Sequence, residues 1–136
     1  MNIFKRIAQT GREENGQTMV EFTLVLPVLL LVLFGIIQFG IVFNNYVTLT
    51  DAVRTGAREA AVSRNLGASG ATTATKQAVI AAASDLSLPA GNVTVTSTWN
   101  AGDDVTVTAS IPYSIDLLGM VFKSGNLKST TTERVE

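Results

Sequence analysis

The 22 residues from Phe22 to Phe43 contain no charged side chain, and 17 of them are large and apolar. Wound as an α-helix at about 1.5 Å per residue, the run is about 33 Å long, which matches a hydrocarbon core of about 30 Å. The 93 residues that follow carry too little apolar bulk to enclose it as the core helix of a soluble domain. The chain therefore reads as a membrane protein with a single crossing over 22–43. A cleaved secretory signal has a shorter apolar core, about 7–15 residues, followed by small residues at a cleavage site. Here the run exits through Asn44-Asn45-Tyr46 without such a site, so the segment stays in the mature chain. Lys5, Arg6 and Arg12 before the run balance Arg54, Arg58 and Arg64 after it, so the positive-inside count is tied. The short N-terminal tail, too small to be a domain, favours an N-inside orientation with the C-terminal part outside the cytoplasm.

Composition then removes most chemistries. Ten Lys and Arg against 11 Asp and Glu give a net charge of −1, with no basic field for nucleic acid to neutralise. The chain has no His and no Cys. That excludes Cys–His and Ser-His-Asp nucleophilic catalysis, the usual zinc sites and any disulfide framework. No phosphate loop or nucleophile–base set is present, so neither an enzyme nor a cofactor is expected. Asp103-Asp104 lacks the further oxygens a calcium site needs and reads as a turn. Asn92-Val93-Thr94 matches a glycosylation sequon at a strand start, a chance match. Trp99 and Tyr113 read as packing, and Arg54 and Arg58 as a solvated helix face. Gly35 and Gly40 are five apart and form no GxxxG face.

The order of elements predicts an α+β chain. Residues 1–16 read as a polar leader, and one long helix is expected over 17–65, with Pro27 inside it leaving the Thr23 carbonyl without its usual donor. Tyr46, Leu49, Val53, Ala57, Ala60 and Ala61 recur at helical spacing and continue the membrane helix as an amphipathic spine. A small second helix is expected over Thr72–Leu86, with Ala74, Ala78, Ala82 and Leu86 on its packed face. The period then changes to two. Val93–Trp99 and Val105–Ile111 read as an antiparallel hairpin around Asn100–Asp104, with Pro112 ending the second strand. Leu117–Gly125 is expected as a loop and Leu127–Val135 as a third strand. Residues 66–136 would thus form a small extracytoplasmic α+β domain with a three-stranded antiparallel sheet.

Glu21 is the unusual residue. It stands directly before the apolar run, in Gly16-Gln17-Thr18-Met19-Val20-Glu21-Phe22. At headgroup level it would be solvated and favoured by the helix N-terminus. If the chain were cut after Gly16, Gln17 would carry a new α-amino group four residues from Glu21. Cation and carboxylate so placed can pair between neighbouring helices and set the axial register of stacked subunits. Gly16, Gln17, Glu21, Phe22 and Pro27, then Phe34-Gly35-Ile36-Ile37-Gln38-Phe39-Gly40 and Ala52-Val53-Arg54-Thr55-Gly56-Ala57-Arg58-Glu59-Ala60-Ala61, resemble the TadE-like minor pilins (pseudopilins) of tight-adherence (Tad/Flp) type IV pilus systems. The resemblance covers residues 12–62 and is looser beyond, through Val105–Thr108 and Ile111-Pro112-Tyr113. Family members often have Glu at the position of Gln38 and a basic residue at that of Ile41. Gln38 can still hydrogen-bond between helices, a contribution of about 0.6–2 kcal/mol, or stand as an isolated polar residue near the outer membrane face.

The resemblance implies a structural subunit rather than an enzyme, processed between Gly16 and Gln17 and held in the bacterial inner membrane. Its implied partners are an aspartic prepilin peptidase, the major and minor pilins, the Tad assembly platform and membrane lipid. From the membrane it would be extracted into a pilus, or used to initiate one, in adherence or secretion. The alternative is a permanent single-pass membrane protein whose extracytoplasmic domain binds a ligand.

Overall fold

A computed structural model describes residues 3–117 and 119–136. The start of the expected leader, residues 1–2, and position 118 in the expected loop lie outside the described residues. The order is α1 (Ile3–Val62), α2 (Gly67–Ala82), β1 (Val93–Ser97), β2 (Asp104–Leu117) and β3 (Met120–Arg134), with short 3₁₀ turns at Ser63–Leu66, Ser84–Leu86 and Ala90–Asn92. The fold is α+β, as expected. The helix begins earlier than residue 17, at Ile3, because nothing between Ile3 and Gln17 interrupts it: Gly11 and Gly16 are helix-weakening but not helix-breaking.

The chain divides into two compact units, residues 1–38 and 39–136. Within the first, the side chains from Met19 through Ile37 lie largely open, Leu24 being 71% exposed. Among the described residues this is one helix long and apolar enough to cross a membrane. Pro27 lies inside it.

The second unit holds the core. Leu49, Ala52, Val53, Ala57, Ala60 and Ala61 of α1 are buried, which is the spine read from the spacing, although Tyr46 at its start remains 43% exposed. The chain leaves α1 at Val62 rather than continuing to residue 65, tightening into the 3₁₀ turn Ser63–Leu66. The second helix starts five residues earlier than expected and buries a different face. Ala71, Thr75 and Val79 are inside, with Ala83 just beyond, whereas Ala74 and Ala78 are half-buried and Ala82 is exposed. An alanine-rich helix has little contrast between its faces, and of its two large β-branched residues Val79 is buried while Ile80 is half-buried.

The sheet has the order β1-β2-β3 and is antiparallel throughout. Val105, Val107, Ala109 and Ile111 point into the core while Thr106, Thr108 and Ser110 point away, the alternation the sequence shows. β1 stops at Ser97 instead of reaching Trp99. There the Ser97 hydroxyl accepts the Trp99 N–H at 3.0 Å and donates to the Asp104 carbonyl at 3.2 Å, turning the chain. Trp99 packs partly buried against the core. β2 does not end at Pro112. β1 pairs only with Val105–Ala109, so beyond Ala109 one side of β2 is open and a missing N–H there costs no ladder bond. The expected loop 117–125 is instead mostly strand: β2 and β3 pair as far as Leu117 with Met120, turning at Gly119, where φ is +83°. Tyr113 and Ile115 are half-buried between exposed Pro112, Ser114 and Asp116, so the alternation runs on past the proline, whereas 121–126 of the returning strand are exposed throughout and carry none.

Candidate functional site

Gly16, Gln17, Glu21 and Phe22 occupy successive turns of α1, all exposed. Residues four apart share a helix face, and Gln17 Nε2 donates to Glu21 Oε1 at 3.0 Å. The position that would carry a new α-amino group therefore lies on the same face as the carboxylate. Two residues on, Thr23 Oγ1 donates to the Met19 carbonyl at 2.8 Å, keeping its hydroxyl inside the helix's own hydrogen bonding. Phe22 is 59% exposed. Gln38 is half-buried at the end of the first unit.

Two glycines in this region behave in opposite ways. A side chain built on Gly16 would meet nothing within 4 Å. The fold gives no packing reason for a residue that costs a helix interior about 1 kcal/mol relative to alanine. A side chain on Gly56 would collide with Val79 Cγ2 and sit 3.4 Å from the Thr75 carbonyl oxygen. Gly56 is thus the close approach between α1 and α2. The block Ala52-Val53-Arg54-Thr55-Gly56-Ala57-Arg58 splits accordingly. Ala52, Val53, Gly56 and Ala57 are buried, while Arg54 and Arg58 face out. Arg54 pairs with Asp51 at 3.6 Å, both well exposed, a geometry of small energetic weight. Arg58 lines an open cleft of about 490 Å³ with Glu133, Arg134 and Glu136, where the Glu136 N–H reaches the Ala61 carbonyl at 2.9 Å. This cleft was not legible in the sequence, because its walls, at 58–62 and 133–136, are far apart in the chain and only the return of β3 brings them together.

At the turn, Asp103 Oδ2 accepts hydrogen bonds from Thr98 Oγ1 at 2.6 Å and Asn100 Nδ2 at 3.1 Å. These two bonds, Thr98 first, with the Arg134 charge adding to them, hold its carboxyl below the usual carboxylate range. The side chain serves the turn, in keeping with the turn reading of Asp103-Asp104.

A helix long and apolar enough to cross a membrane is joined to a small α+β unit, an arrangement consistent with a single-pass membrane anchor. Residues 16–58 match the family model of TadE-like proteins, so this stretch is similar to the family that the motifs resemble. The match begins at Gly16 and ends at Arg58, taking in both glycines. No curated relative and no solved structure matches the chain.

Proposed function

We propose that this chain is a minor pilin-like structural subunit of a Tad pilus system. It is cut between Gly16 and Gln17 by a prepilin peptidase, held in the inner membrane by residues 22–43, and passed by the assembly platform into a pilus or to its start. The observation that carries this reading is the TadE-like match beginning at Gly16, on a helix whose apolar side chains are left uncovered. Two features of the site support it. Among the described residues nothing packs against Gly16, which leaves the position open to a peptidase. Gln17 and Glu21 share a face, so Glu21 is placed to meet the α-amino group of a neighbouring subunit where lipid excludes water.

The test compares wild type, Gly16→Val and Glu21→Gln in the native host. Mass spectrometry of the membrane protein should show a chain beginning at Gln17, with Gly16→Val uncut. Glu21→Gln should insert normally, since losing a charge eases insertion, but its amount in sheared pili should fall relative to membranes. Residues 1–16 retained in every molecule would overturn processing and favour a permanent single-pass anchor with a binding domain. Normal incorporation of Glu21→Gln would leave Glu21 a solvated residue at headgroup level.

A further inference from the structure

The β2–β3 hairpin extends well past the rest of the sheet, and its direction can be fixed inside the second unit. At one end, the chain after β3 meets α1 where the Glu136 N–H bonds the Ala61 carbonyl. At the other, Ile111 and Pro112 line a cleft together with Asn45 of α1. From Val105, opposite Glu133, to Ile111 is about 20 Å of strand, and from Ala61 to Asn45 about 24 Å of helix. The two lengths agree, so β2 runs antiparallel to α1, toward Phe43 and Phe39, which close the apolar run and stack on each other with ring centroids 6.2 Å apart. Past Pro112 the strand continues to Leu117, about 17 Å further. Asn45 lies only about 9 Å above Phe39 along the helix. The hairpin end therefore reaches the level of the apolar run.

The side chains there suit that depth. The pairing steps from Ile115 with Lys123 to Asp116 with Val121, leaving Phe122 as the extra residue of a bulge. Bulges re-aim side chains, and this one leaves Phe122 76% exposed beside Val121 at 66%. Lys123 follows, exposed, one residue back toward the sheet. Apolar tip residues with a lysine behind them match the boundary between acyl chains and anionic headgroups. Asp116, also near the tip, accepts a hydrogen bond from Ser114 Oγ at 3.1 Å.

We infer that the β2–β3 hairpin is a second membrane contact, seating Val121 and Phe122 in the outer boundary of the lipid while Lys123 meets anionic headgroups. The inference rests on α1 anchoring the chain in a membrane and is independent of the pilus reading. Its occupant is lipid, because the hairpin heads to the depth at which α1 itself becomes apolar.

The chain has no cysteine, so single-cysteine variants of the full chain accept one label each. An environment-sensitive nitrobenzoxadiazole label is placed at Phe122→Cys, Thr130→Cys or Ile36→Cys, in vesicles of phosphatidylethanolamine and phosphatidylglycerol. Iodide should quench the label at position 122 several-fold less than that at 130, and nitroxide-bearing lipid should quench it more. The label at 36 reports the anchor itself. If 36 is protected and 122 is as open to iodide as 130, the hairpin contact is overturned and the anchor stands. If 36 is open as well, the anchor reading fails and the inference with it. Protection at 122 that fades as protein is diluted in lipid assigns the tip to a second copy of the chain and overturns the lipid contact. In the unlabelled chain, Val121→Ser with Phe122→Ser should speed amide exchange over 120–124 in vesicles and leave 105–109 unchanged. No change at 120–124 would equally overturn it.

Discussion

A single carboxylate and a single glycine show how much the second unit asks of individual residues. Asp103 is held below its usual pKa by Thr98 and then Asn100. A depressed folded-state pKa contributes stability that is complete above the unfolded value, about 4, and is lost as pH falls through the lower folded value. Asp103→Asn should therefore flatten the loss of stability below about pH 4. Thermal unfolding in detergent micelles across that range checks it, and an unchanged acid slope would mean the turn does not depend on the charge. Gly56 makes a steric demand instead. Gly56→Ala should destabilise by about 1–3 kcal/mol through overpacking against Val79. Combining it with Val79→Ala should recover part of that loss, with a coupling of about 0.5–3 kcal/mol in a double-mutant cycle. Strict additivity would show that the helices separate freely at this crossing. The glycine was visible in the sequence as part of a motif. Its reason was not, because the atom it avoids belongs to a helix whose packed face the sequence left undecided.

Legibility varied between elements according to how sharply each is divided into an inside and an outside. Val105–Ile111 has one buried and one open face, so its alternation read directly as strand, and the spine Leu49–Ala61 read as helix for the same reason. α2 has small residues on every side, and the expected face missed Thr75 and Val79. The hairpin extension was hidden because Pro112 read as a strand end and because residues 121–126 of the returning strand are exposed throughout, with no buried face to mark them. At the candidate site, the shared face of Gln17 and Glu21 was legible by spacing, since residues four apart on a helix meet. The observed face of α2 can be tested directly. Ala71→Asp would bury an unpaired charge and should abolish folding of the second unit. Ala82→Asp, on the exposed side, should change stability by no more than about 0.5 kcal/mol. Circular dichroism and limited proteolysis of the two variants distinguish this face from the one centred on Ala74, Ala78 and Ala82, which predicts the reverse order.

At the scale of the whole molecule, orientation is the property on which the proposed role depends. On the N-inside arrangement, a cysteine introduced at exposed Ser69 should react with a membrane-impermeant maleimide on intact spheroplasts. Reaction only after lysis would put residues 66–136 in the cytoplasm and remove the pilin reading, since a domain held there cannot be presented on a fibre. Given that orientation, the outward face of the sheet acquires a particular meaning. Across it, Thr106 bonds Thr132 and Thr108 bonds Thr130, each hydroxyl to hydroxyl at 3.0 Å. Such bonds carry no charge for salt to screen and no proton that leaves near neutrality. With no His and no Cys anywhere in the chain, the groups that ordinarily sense mild acid or oxidants are missing too. Outside the cytoplasm, acidity and salinity follow the medium. A sheet whose outward face is paired through threonine hydroxyls keeps those contacts through changes of salt and through mild acid, well above the range in which Asp103 titrates.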